Sequence, residues 1–392
     1  MTLYDPNSGF DPFKGSATNA NKLLAYCKVV VDGVDVTDRL EPHLELVRVV
    51  DSIYSEAYLE VDDRDARLPI PPFGAPVKIE MGWRFKGKQS TVMVFDGLVQ
   101  DLEHGNDRTT GRKMWVHCWG RDLLSRIKEP MQDHLGEGAP PGKEIGEQHK
   151  LGDWIRQIEK NAGAKVKIHP ALYGKTRDYW VQPGESFEHT MQDLANQVGA
   201  VFRLTAGNEG IFTLPGEEPD GSSTADSAVT AKWGDNLISW RVHPLAARPS
   251  WAKTNQQYYS ARKGQWRVVQ KDLNLPLPWG GAKAIYALPA PAPNAPVSDQ
   301  LNQGTIQFAG IEPGFGRLCM NGEPDARFNG YVKLTGVRPG VDGIYWITSA
   351  EHIYSRMGYV TWLDVQIDLR NWKGGGGVQD GYIPDSAAES TG

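Results

Sequence analysis

The chain has 392 residues, of which 40% are hydrophobic and 23% charged, and it carries a formal net charge of −6. These values are typical of a soluble globular protein with two or three domains and substantial cores. A mildly acidic chain lacks the basic surface that grips nucleic acid. A channel through which DNA slides would also avoid a basic lining, so the charge excludes firm DNA binding but not passage of DNA.

Cysteine usage and the N-terminus bear on the compartment in which the chain is made. The three cysteines are Cys27, Cys118 and Cys319. Their odd number and wide spacing do not form a disulfide framework, so we expect synthesis in a reducing compartment. Residues 1–22 lack the basic and apolar regions of a signal peptide. No apolar run approaches the ~20 residues that span a bilayer, so we expect no membrane insertion by this chain.

Residues 1–22 predict an N-terminal arm that orders only against a partner, and residues 23–129 predict a first β-domain. The Asp32-Gly33 pair predicts a hairpin turn. Residues 121–128 predict a short helix that closes the domain, with Leu123, Leu124 and Ile127 facing inward. Two runs alternate with period 2, as in half-buried strands. Their apolar positions are Ile53, Ala57, Leu59 and Val61, then Val77, Ile79, Met81 and Trp83.

Residues 130–228 predict an α+β insertion domain, because the hydrophobic period changes there. The range begins with a linker or long loop at 130–150, rich in Gly, Pro and charge, and ends with a polar loop at 215–228. Apolar spacing predicts helices from Leu151 to a stop at Gly163 and from Phe187 to a stop at Gly199. Ser186 is the predicted N-cap of the second helix. Strands are predicted at 165–169, 200–205 and 210–214, the last two forming a hairpin.

Residues 229–370 predict a second β-domain, and residues 371–392 a flexible Gly-rich tail. Alternating positions predict its early strands: Ile238, Trp240 and Val242, then Trp266, Val268 and Gln270. Closely spaced prolines predict an extended polyproline strap. These prolines are Pro289, Pro291, Pro293 and Pro296. Four glycines at 374–377 make the predicted tail a flexible chain that can extend away from the domain.

Two stretches share one outline, which predicts a duplicated β-domain. Residues 95–104 form a predicted strand ending in Glu103-His104, followed by a polar turn and a Trp-bearing strand at 113–119. Residues 341–352 likewise end in Glu351-His352, followed by a turn at Arg356-Met357-Gly358 and an alternating strand from Tyr359 to Leu369. A duplicated β-domain favours an architectural ring component over an enzyme.

No pattern in the sequence predicts a catalytic, cofactor-binding or metal-binding residue. His134 and His149 lack metal-ligand spacing, and His117 and Cys118 must point to opposite faces of a strand. Gly314-Phe315-Gly316 lacks the third glycine and the Lys-Ser/Thr of a phosphate loop, so we interpret it as an ordinary loop. The acidic pairs and the Glu-His pairs predict solvated or strand-end polar residues. The acidic pairs are Asp62-Asp63 and Glu217-Glu218.

Several motifs of the middle and C-terminal regions resemble the late control protein D family. These are hub proteins of contractile-tailed phages, and they are similar to the hub part of type VI secretion spike proteins. The motifs are 151-LGDWI-155, 161-NAGA-164, 182-QPGESF-187, 193-DLANQVGAVF-202 and 343-GIYWITSAEHIYS-355. The arm, the strap and the tail depart from the family pattern.

The resemblance implies a mainly β fold with two tail-tube-like β-barrels and an α/β insertion. It also implies a homotrimer, whose six similar barrels match a hexameric tail tube on one side and a trimeric spike on the other. The implied partners are a central spike protein, a tail tube or tube initiator protein, baseplate wedge proteins and a tape measure protein, with DNA only as passing cargo. The implied location is the tail baseplate of a virion assembled in the bacterial cytoplasm, and no cofactor is implied.

Two other functions stay open at this point. Thirteen tryptophans and fourteen tyrosines also fit a carbohydrate- or receptor-binding β protein of a tail tip. A hydrolase whose site leaves no sequence motif is the third possibility, because paired carboxylates are abundant and a glycosidase needs two that are distant in sequence.

Overall fold

The computed structural model describes residues 23–66, 68–85, 88–109, 111–122, 125–141, 143, 145–243, 251–260, 262–273, 284–311 and 314–368. The predicted arm, the predicted tail, Leu123 and Leu124 lie outside these residues. The described part is mainly β with a few helices, as predicted.

Seven strands and a short helix make up the first β-region. They are β1 Leu24–Val31, β2 Val34–Asp35, α1 Thr37–Leu40, β3 Leu44–Asp51, β4 Ser55–Asp62, β5 Pro76–Phe85, β6 Lys88–Asp107 and β7 Gly111–Trp119. Asp32 and Gly33 form the predicted turn between β1 and β2, with φ of 50° and 76°. The alternating positions of β4 and β5 face the core, except that Ile53 is 40% exposed. Ile53 is exposed because it lies in the turn between β3 and β4, not in a strand.

The middle region contains small paired strands around three helices. They are β8 Pro130–Leu135, β9 His149–Lys150, α2 Leu151–Ala162, β10 Lys165–Ile168, α3 Pro170–Tyr173, β11 Thr176–Arg177, β12 Trp180–Ser186, α4 Phe187–Val198, β13 Val201–Leu204 and β14 Glu209–Thr213. Both predicted amphipathic helices are confirmed, with Gly163 and Gly199 in the left-handed conformation at their ends. The hydroxyl of Ser186 accepts the His189 N–H at 3.3 Å, as an N-cap does.

Two predictions around this region were wrong in part. The linker or long loop predicted at 130–150 begins with β8, which pairs with β12 along its whole length because both strands cover one side of the helical core. Between β8 and β9 its described residues form a loop, as predicted. In the predicted helix at 121–128, the described residues form a 3-10 turn at Arg126–Lys128. Ile127 is fully buried there, as predicted.

The C-terminal region contains nine strands, β15 to β23, and one helix, α5. Its elements are β15 Val229–Lys232, β16 Leu237–His243, β17 Trp251–Ser260, β18 Gln265–Asp272, β19 Ala284–Ala287, α5 Ala295–Ala309, β20 Phe315–Asn321, β21 Tyr331–Thr335, β22 Gly343–Ser355 and β23 Gly358–Ile367. Strands β17 to β19 form a separate sheet, and α5 packs on that sheet and on α4 of the middle region.

The predicted polyproline strap was wrong at its C-terminal end. Pro296 occupies the first turn of α5, where a missing N–H costs nothing. Asn294 caps this helix by accepting the Val297 N–H at 3.1 Å. Ala292, which lies between two of these prolines, forms a bridge with Tyr258 of β17. The proline segment therefore attaches the start of the helix to the sheet on which the helix packs.

The two β-regions share one strand order. The first runs β3-β4-β7-β6-β5-β1 and the second β16-β20-β23-β22-β21-β15. The last pair differs, because β1 is antiparallel to β5 whereas β15 is parallel to β21. Strands β22 and β3 pair directly and join both regions into a 13-stranded sheet. A three-residue turn connects β3 to β4, but the β17–α5 unit separates β16 from β20.

The predicted duplication of the hairpin is confirmed by its register. Glu103 of β6 pairs with Trp115, and Glu351 of β22 pairs with Trp362. Each hairpin also shifts register four residues before the glutamate, at Val99 and at Ile347 respectively. A β-bulge at the same place in both copies is the kind of detail that homologous strands retain.

Candidate functional site

The seam between β22 and β3 joins the two β-regions, and charged side chains lie along it. Glu351 of β22 lies against Val50 of β3 and is largely buried. Its Oε1 accepts the Arg48 Nε–H, and its Oε2 accepts a bond from Arg317 Nη2 at 2.7 Å. Arg317 also faces Asp364 of β23 at 3.6 Å, so the two arginines and two carboxylates form one chain of ion pairs that links four strands.

Asp51, at the end of β3, ties the middle region to both β-regions. Its Oδ1 lies 2.9 Å from Nη1 of Arg203 in β13, and its Oδ2 accepts the Phe328 N–H at 2.9 Å. A second ion pair fixes the start of α4. Buried Glu188 contacts Arg121 Nη1 at 3.0 Å and also Lys128 Nζ. These contacts set the position of the middle region against the seam.

His352 lies on the opposite face of β22 from Glu351, as the strand geometry predicted, but it is fully buried. Its Nε2–H donates to the Ala326 carbonyl at 3.1 Å, which can only accept. Nδ1 therefore accepts from the Tyr359 hydroxyl at 2.8 Å. Burial lowers the pKa of His352 to about 4, so the ring is neutral at physiological pH.

The prediction that both Glu-His pairs are strand-end polar residues was wrong for the second pair. Glu351 and His352 lie inside the sheet, because β3 covers the edge of β22 that they occupy. Glu103 and His104 are exposed. His104 Nε2 lies 3.2 Å from the buried Asp63, so neither pair forms an internal acid/base dyad.

The cysteines and the other histidines provide no metal site among the described residues. Among those residues, no group of three His, Cys, Asp or Glu side chains is placed to hold a metal. His134 lies on β8 and His149 on β9, which belong to different two-stranded sheets. Cys118 is buried and His117 is exposed on the other face of β7, as predicted. All three cysteines are buried and free.

Burial makes these thiols unreactive. It raises the pKa of Cys27 and of Cys118 to about 12 and that of Cys319 to about 11. A thiol with such a pKa carries almost no thiolate at neutral pH and is a poor nucleophile.

The acidic pairs are ion-paired, not simply solvated as predicted. Asp62 contacts Arg64 at 2.9 Å, and Asp63 is buried against His104. Glu217 lies 2.8 Å from His169 Nε2, and Glu218 lies 2.6 Å from Arg327. The second pair thereby holds the 215–228 loop against both the middle region and the second β-region.

The Gly314-Phe315-Gly316 stretch enters a strand, and the loop interpretation was wrong for two of its residues. Phe315 and Gly316 begin β20, where Gly316 pairs with Val242. A Cβ at Gly316 would lie 2.7 Å from the Arg241 carbonyl oxygen. Close strand packing therefore explains this glycine without a phosphate ligand.

Several tryptophans lie on the surface. Trp266 of β18 is 61% exposed and meets Tyr259 edge-on, with ring centroids 5.6 Å apart. Trp233 and Trp240 form a second edge-on pair at 4.7 Å. These rings lie on different sheets, so they do not form one continuous aromatic platform.

Sequence reasoning missed the seam residues Arg48, Asp51, Arg203 and Arg317. Single charged residues in a strand carry no local signal, because their partners lie more than 30 residues away, and for Arg48 more than 300 away. The signal that could have drawn attention to Arg48 is a shared sequence pattern, because Val47-Arg48-Val49 and Trp240-Arg241-Val242 both place an arginine between two apolar residues.

Comparison with known proteins gives the fold. No protein-family model matches the chain, and no curated protein sequence is similar to it. No helix among the described residues combines the length and apolar content that a membrane crossing requires. Solved structures, in contrast, match the fold over most of its length.

Three of these structures are informative. A 43-kDa tail protein of prophage MuSo2 from Shewanella oneidensis matches with a TM-score of 0.60 at 15% identity, over 87% of this chain and 98% of its own. A tail protein from Neisseria meningitidis MC58 gives 0.58 at 14% identity, over 88% and 97%. A chain of the Francisella PdpA-VgrG complex gives 0.50 at 9% identity, over 92% and 60%. The chain therefore has the fold of these prophage tail proteins, and a chain of the PdpA-VgrG complex shares that fold over part of its length.

Proposed function

We propose that this chain is a structural hub protein of a phage tail or a related injection machine. The observation that carries the proposal is the match to two prophage tail proteins across nearly their whole length, combined with the repeated strand order inside this chain. The strand pairing at the seam and the ion pairs of Glu351 hold the repeats against each other, which suits a ring that must withstand force. The role needs no catalytic residue.

The proposal includes a homotrimer in which the two β-regions alternate around a ring. The domain limits are those set out from the sequence: 1–22, 23–129, 130–228, 229–370 and 371–392. Each β-region would close as a tube-like barrel, so three copies would present six similar units. Such a ring would accept a hexameric tail tube on one face and a trimeric central spike on the other, with wedge proteins around it and DNA passing through it.

Mass measurement and imaging test this proposal. Light scattering on the purified 43.4-kDa chain at micromolar concentration should give three times the chain mass, or a complex with its spike that contains three copies of the chain. Electron-microscopy averages should show a ring with six similar lobes. Antibody labelling should place the chain at the baseplate end of isolated particles. A monomer that never joins particles would contradict the proposal.

One observation favours the carbohydrate-binding alternative, namely the exposed Tyr259–Trp266 pair. Exposed aromatic rings stack on sugar faces in many glycan-binding proteins. Glycan-array binding that disappears in Trp266→Ala, but not in Trp233→Ala, would support this function. Absence of binding in the assembled particle would leave the hub as the better account.

A further inference from the structure

Strand β6 has a half whose outer edge lacks a partner among the described residues. Its N-terminal half pairs with β5 up to Leu98, whereas residues 101–106 have β7 as their only strand partner among the described residues. The equivalent edge of strand β22 has partners along both of its halves. Its first half pairs with β21, and its second half pairs with β3. Within the described residues, one of two equivalent strand edges is therefore paired and the other is open.

Strand β16 is the equivalent of β3 and also has an unpaired edge in the described part of the chain. It ends the sheet and pairs with β20 along its length, and its only other bridge among the described residues joins its first residue, Leu237, to Trp233. The equivalence extends to single residues: β3 shifts register against β4 between Leu44 and Leu46, and β16 shifts against β20 between Leu237 and Ser239. This alignment places Trp240, Arg241 and Val242 at the positions of Val47, Arg48 and Val49.

We propose that β16 of one copy pairs antiparallel with residues 103–107 of β6 in a second copy, in the register of the β3–β22 seam. The inference rests on the proposed hub function and specifies its subunit contact. The contact is heterologous, joining two different edges, so it generates a ring when the rotation closes. The seam within one chain and the contact between chains would then be copies of each other.

The transferred register makes specific residue pairs. Tyr354↔Val47 and Ser355↔Leu46 of the seam become Asn106↔Trp240 and Asp107↔Ser239 between copies. Arg48 and Glu351 are diagonal neighbours on one face of the seam. Their equivalents, Arg241 and Glu103, would form the same ion pair across the subunit boundary.

Charge and burial support a second copy of the chain as the partner of these strand edges. Glu103 and Arg241 are exposed and have no ion-pair partner in the described part of the chain, although their counterparts are paired. Val47 and Val49 are completely buried in the seam, whereas Trp240 and Val242 are only half-buried. A strand laid along β16 would complete their burial, since backbone pairing also covers the flanking side chains.

Cysteine cross-linking tests the register directly. In the double variant Asp107→Cys/Ser239→Cys, the new thiols face each other across the proposed contact, within the reach of a disulfide. Mild oxidation should give covalent dimers and trimers on a non-reducing gel. The matched control is Asn106→Cys/Ser239→Cys, in which the two side chains point to opposite faces and should not link. The native cysteines are buried and contribute no background.

Charge reversal tests the ion pair. Arg241→Glu or Glu103→Arg alone places like charges together and should raise the concentration for half-assembly by about tenfold or more. The reversed pair Glu103→Arg/Arg241→Glu should restore assembly, and Arg262→Glu, away from both edges, should leave it unchanged. Circular dichroism confirms that each variant is folded.

The outcomes separate the two proposals. A trimeric wild-type chain whose double-cysteine variant does not cross-link, and whose single charge reversals assemble normally, would overturn this contact while leaving the hub function intact. A wild-type chain that stays monomeric with and without its spike would overturn both. Equal cross-linking in the control pair would also overturn the proposed register.

Discussion

Arg203 of the middle region and Asp51 of the first β-region form an ion pair whose Nη1 and Oδ1 atoms are 2.9 Å apart. The same carboxylate accepts the Phe328 N–H of the second β-region. One buried side chain therefore holds three parts of the chain that are distant in sequence. The middle region is thus fixed at the seam instead of being attached by its ends alone.

Replacing Asp51 should destabilise the whole chain. Asp51→Ala leaves the Arg203 guanidinium largely buried without its anion and leaves the Phe328 N–H unpaired. Breaking such a pair costs about 3 kcal/mol of unfolding free energy. Urea denaturation monitored by tryptophan fluorescence measures this loss. Asp193→Ala, on the exposed side of α4, is the control and should change stability by less than about 0.5 kcal/mol. Equal effects of the two variants would contradict the role of Asp51.

Acid should destabilise the fold through His352. Its folded pKa is about 4, below the ordinary value of 6.5, so the unfolded chain binds the proton first as pH falls. Unfolding free energy should therefore decrease from pH 6.5 down to about 4, by about 3 kcal/mol in total, with no contribution above pH 6.5. Comparing wild type with His352→Gln across this range isolates the effect, because other groups titrate alike in both. His134→Gln should retain the wild-type slope, and a slope unchanged in His352→Gln would refute the assignment.

Truncating Trp154 should unfold the middle region. The indole is buried in the core formed by α2, α4 and their strands. Trp154→Ala should cost about 3–5 kcal/mol. Hydrogen exchange should show the loss mainly in residues 151–214. Lys160→Ala, on the exposed face of the same helix, provides the comparison. A melting profile like that of the control would mean that this core tolerates the cavity.

Neutralising Glu351 should weaken the seam. Glu351→Gln leaves Arg48 without its anion and leaves Arg317 with only the more distant Asp364. Both arginine side chains are 51% exposed, so solvent screens their charges and the expected loss is about 1–2 kcal/mol. Glu209→Gln is the control, because Glu209 is an exposed glutamate of β14 with no ion pair among the described residues. High salt should reduce the difference between the two variants, and a difference that persists would argue against an electrostatic origin.

Local patterns accounted for the elements that depend on local chemistry. The helices at 151–162 and 187–198 were predictable because their apolar stripe, their caps and their glycine stops all lie within a dozen residues. The hairpin duplication was predictable for the same reason, since Glu103-His104 and Glu351-His352 mark equivalent places in two continuous stretches.

Elements that depend on distant contacts were not predictable. The α5 helix was hidden by its prolines, because Pro296 is tolerated only in a first helical turn whose existence depends on the packing of α5 against β17 and α4. The seam was hidden because its two strands are separated by some 300 residues. The burial of Glu351 follows from that pairing alone, so no window of sequence around it contains the information.

The distance between the two seam strands also matters while the chain is being made. Strand β3 leaves the ribosome early, but its outer edge is covered only when β22, about 300 residues later, has been translated. At 5–20 residues per second, that edge stays open for about 15–60 s. The strand carries the apolar side chains of Val47 and Val49. While it is unpaired, it is prone to pair with strands of other nascent chains. Strand edges that would pair to build a ring from finished subunits can thus also pair too early. Correct folding of new chains therefore depends on chaperones or on keeping nascent chains apart.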